Sequence, residues 1–321
     1  MARFTLDQLR VFVAVAERQH VTRAAAALNL AQSAASAAIA ALEAGHGARL
    51  FHRVGRGIAL TDAGATFLAE ARAVLARAEA AELALSELGG LKRGTLSVAA
   101  SQTIAGYWLP RHLAAFRTAW PGIDVRVRIG NTQDVAAAVH DGRAELGFVE
   151  GPVGDPALSS ERIARDRLVI VVAPGHPWAA AGARVRAAAL TAGDWVLREP
   201  GSGTRAVFEA ALAGFGLDPA ALRIALELPS NEAVRGAVEA GLGATALSAS
   251  VAAPSLESGL LRLVPIALPD RDFHVVRHAG RYRSRAADAL LGLIAASADG
   301  SRNDRAGRSD AARNGVGSRR R

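Results

Sequence analysis

The sequence predicts an α/β protein that begins with an all-α part. Three observations carry this: short helical periodicities over residues 1–60, one unbroken helical seam over 61–88, and strand–helix alternation from residue 95. Half of the residues are apolar, enough for a sizeable core in a chain of 321 residues, a length that suits two or three domains.

In the first part, Thr5-Leu6-Asp7-Gln8 has capping-box spacing and opens a helix whose buried face is Leu9, Phe12, Val13 and Ala16. Thr22 is placed to cap a second short helix that runs through Leu28. Asn29-Leu30-Ala31 then makes a turn, and Gln32–Glu43 is a third helix with Ala35, Ile39 and Leu42 inward. The basic, glycine-punctuated stretch from Gly45 to Gly57 suits a two-stranded wing. From 61 to 88, Phe67, Ala71, Val74, Ala78, Ala81, Leu85 and Leu88 recur in steps of four and three. That heptad spacing predicts a long helix that pairs with a second copy of itself. Gly89, Gly90 and Gly94 mark a hinge over 89–94.

Beyond it, Thr95–Ala99, Val125–Ile129, Glu145–Val149 and Leu168–Val172 read as strands. Leu109–Ala119, Thr132–Asp141, Thr204–Phe215 and Asn231–Ala240 read as helices. The alternation predicts a largely parallel sheet in two lobes: lobe I over about 95–165 and 266–297, lobe II over about 166–265. Residues 298–321 are polar, arginine-rich and aperiodic, which predicts a disordered, solvated tail.

Composition excludes several classes. With no cysteine there is no disulfide, thiolate metal site or cysteine nucleophile, which sits easily in a reducing cytoplasm. No stretch is long and apolar enough for a signal peptide or membrane span, so the expected location is cytoplasmic and no membrane partner is expected. The histidines lack metal-ligand spacing. Neither a Gly-x-Ser-x-Gly elbow nor a dinucleotide fingerprint after a strand is present, so neither an enzyme nor a metal or cofactor is expected. The net charge of +8 is concentrated at the two ends, a distribution that suits a polyanion partner for at least one of them.

The stretches LDQLRVFVAVAE, TRAAAALNLAQSAASAAIAALE and ARLFHRVGRGIALTDAG resemble, in that order, the N-terminal signature of LysR-type transcriptional regulators. The likeness extends through the linker and sensor, over residues 5 to about 296. It implies a winged helix-turn-helix (1–60), a linker and dimerisation helix (61–88), and a periplasmic-binding-protein-like two-lobed effector domain (95–297). The alternative is a two-lobed solute-binding protein, which would have no use for residues 1–88.

A recognition helix enters the major groove near its N-terminus, where Gln32, Ser33 and Ser36 offer base or phosphate contacts and Ala37 can touch a thymine methyl. Thr22 and Arg23 suit a backbone phosphate, and Arg53 and Arg56 suit phosphate or minor-groove contact. Members of the family often carry serine at position 31 and a long polar side chain at 37 or 38. Here Ala31, Ala37 and Ala38 stand instead, which shifts recognition toward phosphate contacts and DNA shape.

In the sensor, the serine, threonine or asparagine at several helix starts can cap a helix or bind an anion. The resemblance selects Ser101, Gln102, Thr103, Asn131 and Thr132 on one lobe and Ser202 and Thr204 on the other as effector contacts. Ser230 and Asn231 are read as capping residues. The run LREPGSGTR is similar to that of sulfur-assimilation and carbon-fixation regulators. Gly201 and Gly203 let backbone amides approach a ligand, and Arg205 adds charge. The expected effector is a small anion: a sulfur oxyanion or a small carboxylated or phosphorylated metabolite. Glu150 opposes a purely anionic ligand and is suited either to an amine or to pairing with Arg205. The partners implied are double-stranded DNA with an imperfect palindromic operator, the effector, a second copy or three more (homodimer or homotetramer), and RNA polymerase.

Overall fold

The computed structural model describes residues 4–55, 57–86, 94–180 and 185–297. Arg56, Leu88, most of the expected hinge and the tail from 298 lie outside these residues. The chain divides into two compact units, one of residues 1–88 with 140–143 and one of residues 89–139 with 144–321.

The first unit contains α1 (Leu6–Arg18), α2 (Val21–Ala27), α3 (Gln32–His46), a hairpin of β1 (Phe51–Val54) and β2 (Gly57–Leu60), and α4 (Asp62–Ser86). Thr5 and Gln8 form the expected capping box on α1. That helix is buried more widely than one stripe, with Val11, Ala14 and Val15 also enclosed, because α2, α3 and α4 surround it. The cap of α2 is His20, whose ring accepts from Arg23 N at 3.4 Å. Thr22, expected as the cap, instead sits inside the first turn because α2 begins at Val21. Helix α3 buries Ala35, Ile39 and Leu42 as expected. Glu43 Oε1 accepts from Leu50 N (2.8 Å) and Phe51 N (3.2 Å), which fixes the hairpin to α3.

Helix α4 corrects the seam. Phe67 and Ala71 pack with Leu68 and Leu75 into this unit's own core, where the Phe12 and Phe67 rings lie 4.9 Å apart. A heptad records that a face is apolar but not what covers it, and here the first half of the face is covered by α1. Val74 (39% exposed), Ala78, Ala81 and Leu85 (70% exposed) continue the stripe beyond that core.

The second unit is built on β3 (Gly94–Ser101), β4 (Ile123–Gly130), β5 (Leu146–Val149), β6 (Leu158–Val172), β7 (Asp194–Arg198), β8 (Arg223–Leu228), β9 (Ala244–Ser248), β10 (Arg262–Leu263) and β11 (Asp270–His278). Its strand order is β4-β3-β5-β11-β6-β9-β7-β8, with β10 also on β6. Parallel pairing holds for β3 with β4 and β5, and for β7 with β8 and β9. The strands β11, β6 and β10 pair antiparallel, so the sheet is mixed rather than largely parallel. The crossover strand causes the difference. The first part of β6 (158–167) pairs with β11, and its last five residues pair with β9, so one strand serves both lobes.

Lobe I packs α5 (Gln102–Tyr107), α6 (Leu109–Ala119), α7 (Thr132–His140) and a helix over 285–297, here α11, on its strands. Its main core includes Leu96, Phe116, Phe148 and Leu290. Lobe II packs α8 (Gly203–Gly214), α9 (Asn231–Glu239) and α10 (Ala249–Glu257), around Trp195 and Phe208 on one face and Val171 and Val234 on the other. Among the described residues, no single helix is long and apolar enough to cross a membrane.

Candidate functional site

Two clusters emerge, one in each unit. In the first unit, Gln32, Ser33 and Ala37 are exposed along α3 and Ser36 is half-buried. Gln32 Nε2 donates to Ser36 Oγ at 3.0 Å, so the two strongest candidate readers share one face one turn apart. Ser36 and Arg53 line a common groove between α3 and the hairpin, together with Arg49 and His52. Thr22 and Arg23 are exposed at the start of α2. The sole carboxylate of α3, Glu43, is turned onto the hairpin amides, which leaves the outer face of the helix free of acidic groups. That arrangement suits a phosphate-lined partner.

In the second unit, the loops after β3, β4 and β5 in lobe I meet the loop after β7 in lobe II. Ser101, Thr103, Thr132, Glu150, Ser202 and Thr204 are all buried there. Glu150 (2% exposed) receives hydrogen bonds from Ser101 Oγ in its own lobe and from Thr204 Oγ1 across the crossing at 3.3 Å. Thr204 Oγ1 in turn accepts from Arg271 Nη1 (3.0 Å), and Arg271 Nε donates to Asp166 at 2.7 Å. Ser202 caps α8 by accepting from Arg205 N. The Thr132 hydroxyl is buried without a hydrogen-bond partner among the described residues. A buried unmatched hydroxyl of this kind costs roughly 1–3 kcal/mol, a cost that a bound group removes.

Several expected roles change. Arg205 does not face Glu150: it binds Glu209 (2.7 Å), Glu227 (2.5 Å) and the Arg198 carbonyl (3.0 Å). Burial alone would lower its pKa, but the two glutamates raise it overall. Gln102 gives both ends of its amide to the lobe II backbone, at Pro229 O (2.5 Å) and Asn231 N (3.1 Å). It therefore fastens the lobes. Asn131 forms a reciprocal cap with Asp134 and donates to Glu199 at 3.2 Å. Gly201 and Gly203 admit lobe I rather than a ligand. A Cβ on Gly201 (φ +86°) would stand 2.7 Å from Gln133 Oε1, and one on Gly203 would meet the Thr132 hydroxyl and the Glu150 backbone.

Sequence reasoning missed Arg198, Glu199, Asp166 and Arg271, and it assigned Asn231 to capping. Ser230 is indeed the cap of α9, but the Asn231 side chain is fully buried between Arg198 and Thr103. Burial alone would raise the Glu199 carboxyl, but hydrogen bonds from Arg198 and Asn131 hold it below the usual range. Arg198 and Glu199 lie within the LREPGSGTR run, so proximity to that motif could have flagged them. Nothing local marks Arg271.

Comparison with known proteins identifies one family across both units. The model of the bacterial regulatory helix-turn-helix protein, lysR family, matches residues 6–65, and that of the LysR substrate binding domain matches residues 89–299. The chain is 36% identical over 289 residues to the "Uncharacterized HTH-type transcriptional regulator YeiE" of Escherichia coli (strain K12), covering 89% of this chain and 96% of that one. It is 35% identical over 289 residues to a probable RuBisCO transcriptional regulator of Cyanidioschyzon merolae, covering 88% and 95%. The regulatory domain of CcmR from Synechocystis PCC6803, solved in complex with 2-PG, superposes with a TM-score of 0.58 at 26% identity, covering 64% of this chain and 97% of that one. Matched over both units and along most of its length by regulators of one kind, this chain belongs to the LysR family of DNA-binding transcriptional regulators, with a helix-turn-helix followed by an effector-binding domain.

Proposed function

We propose that this regulator senses a small anion held between the lobes of its second unit and changes its grip on an imperfect palindromic operator in response. LysR regulators bind DNA and small-molecule effectors and form oligomers. The finer assignments here are a homodimer or homotetramer, a cytoplasmic location, access of RNA polymerase as the step controlled, and no catalytic activity.

The observation that carries the effector site is the gathering of five buried hydroxyls from two lobes around one crossing, with the Thr132 hydroxyl unmatched. All five lie at or in the first turn of a helix, and among them Thr132 at α7 and Ser202 at α8 stand at helix ends whose positive charge favours an anion. Glu150, the charge that argues against an anion, is occupied by Ser101 and Thr204. The relative CcmR, whose sensor was solved with 2-PG, supports a small ligand in this kind of domain. Sulfur oxyanions and small carboxylated or phosphorylated metabolites match the hydrogen-bonding polarity of these groups.

Fluorescence anisotropy of the full chain, titrated against the DNA upstream of its own gene and against a scrambled duplex, tests the reading. Strong preference for the native duplex, altered by sulfate, phosphate or small carboxylates, is expected. Equal, salt-sensitive binding to both duplexes would place the operator elsewhere, and an operator affinity indifferent to every anion would overturn the effector class.

A further inference from the structure

Beside the buried hydroxyls runs a chain of groups whose hydrogen-bonding directions are fixed in sequence. Arg198 at the end of β7 is 3% exposed, and its guanidinium can only donate. Its Nη1 lies 2.6 Å from Asn231 Oδ1, which fixes the orientation of the Asn231 carboxamide. The Asn231 Nδ2 then points the other way, 3.1 Å from Thr103 Oγ1 in lobe I. An amide nitrogen also only donates, so Thr103 must accept there, and its own proton is left for another partner. Arg198 Nε and Nη2 donate to Glu199, at 2.7 and 2.9 Å, so Arg198 cannot swing to a different acceptor without breaking an ion pair.

We propose that Arg198 and Asn231 are positioning residues that set the Thr103 hydroxyl as a donor toward the effector, so that the site selects a group that accepts, such as an oxyanion oxygen. This rests on the reading that the effector lies between the lobes. It differs from a simple fastening of the lobes, which Gln102 already provides through Pro229 and Asn231 N. A fastening requires only that Asn231 and Thr103 touch. The relay requires the direction in which the proton is given.

The difference is read by reversing the direction. In Asn231→Asp the carboxylate still accepts from Arg198 but offers no proton to Thr103, which must then donate to it and turn lone pairs toward the effector. Asn231→Ala leaves Thr103 free to rotate and donate. Relay therefore predicts that the near-isosteric Asp variant binds worse than the truncated one.

Isothermal titration of the full chain with inorganic sulfate and inorganic phosphate is the test, run on wild type, Asn231→Asp, Asn231→Ala, and both substitutions in a Thr103→Val background. Asn231→Asp should bind roughly tenfold more weakly than Asn231→Ala, the size of one charge-assisted hydrogen bond, and the gap should vanish once the Thr103 hydroxyl is gone. A gap that persists in the Thr103→Val background is charge repulsion and overturns the relay, as does an Ala variant that binds no better than Asp. A thermal double-mutant cycle of Thr103→Val with Asn231→Ala needs no ligand, and additive melting shifts there would show that the two residues are not coupled. If wild type binds neither anion, the site does not select an oxyanion oxygen and this proposal falls. If wild type binds but the order of variants is wrong, only the relay falls.

Discussion

Gly203→Ala tests whether the two lobes meet as closely as the structure has them. Gly203 is the first residue of α8, and a Cβ there would strike the Thr132 hydroxyl and stand 3.0 Å from both the carbonyl carbon and the oxygen of Glu150. The threonine can rotate, but Glu150 follows directly from β5, whose pairing with β3 and β11 limits how far its backbone can move. One methyl forced into a packed site of this kind costs about 1–3 kcal/mol. For a domain of this size that is a fall in Tm of roughly 2–12 °C. All four tryptophans (Trp108, Trp120, Trp178 and Trp195) lie in the second unit, so their fluorescence follows its unfolding without interference from the first. Gly236→Ala supplies the control. It lies exposed in α9 with nothing within 4 Å of a new Cβ, so alanine there should stabilise by about 0.5–1 kcal/mol. Adding Thr132→Ala to Gly203→Ala should recover part of the loss, since one of the two obstacles is removed. A Gly203→Ala protein that melts at or above wild type, as Gly236→Ala should, would refute the close approach.

Three further outcomes follow from particular contacts. Gln32→Ala with Ser36→Ala removes the polar pair from the outer face of α3 and should weaken operator binding by about 1–3 kcal/mol per lost base contact while leaving scrambled duplex unchanged in the same anisotropy assay. Val74→Glu with Leu85→Glu places charge on the exposed part of the α4 stripe; analytical ultracentrifugation should show a shift toward monomer, and an unchanged mass would remove α4 from the subunit interface. The third concerns His112, which is buried against Trp108 (ring centroids 4.4 Å) and has its pKa lowered to about 4 by burial and then by Arg111. The folded protein thus takes up this proton less readily than the unfolded chain does. Its contribution is fully present above the usual histidine range near 6.5 and is lost as pH falls toward about 4, at most about 3 kcal/mol. His112→Asn should flatten the dependence of Tm on pH between 7 and 5, and an equally steep profile would rule the histidine out.

The sequence was most informative where a residue's role depends on its near neighbours. The capping box at Thr5 and Gln8 and the inward face Ala35, Ile39 and Leu42 needed only local spacing, and both stand as expected. The apolar run Leu168–Val172 was recognisable as a strand, but the ten residues before it were not, because Arg162, Arg165 and Arg167 make that stretch look solvated. They tolerate a strand because β11 sets Asp272 and Asp270 opposite Arg165 and Arg167. The α4 stripe shows the same limit from the other side. Period alone cannot tell Phe67, half-buried against the core of its own unit, from Leu85, which is exposed on the surface.

The effector site divides along the same line, and for a physical reason. Hydroxyls at helix starts are visible because capping chemistry restricts them to those places, and Ser101, Thr103, Thr132, Ser202 and Thr204 do gather. What orients them is not visible as a set, although Arg198 lies in the LREPGSGTR run, because Arg198, Asn231, Asp166 and Arg271 come from separate strands and helices and meet only after folding. Yet these groups decide which hydroxyls give protons and which accept. Ser101 donates to Glu150, so it faces any partner with lone pairs, whereas Thr103 accepts from Asn231 and keeps its proton. Two side chains of the same chemical type, one residue apart on either side of Gln102, thus carry opposite hydrogen-bonding polarity. Breaking either set of buried partners would leave a charge unmatched, a loss on the order of 3–5 kcal/mol for a buried pair. The stability of the lobe crossing and the chemical selectivity of the site therefore rest on the same buried charges, so a substitution at Arg198 or Arg271 should change both together.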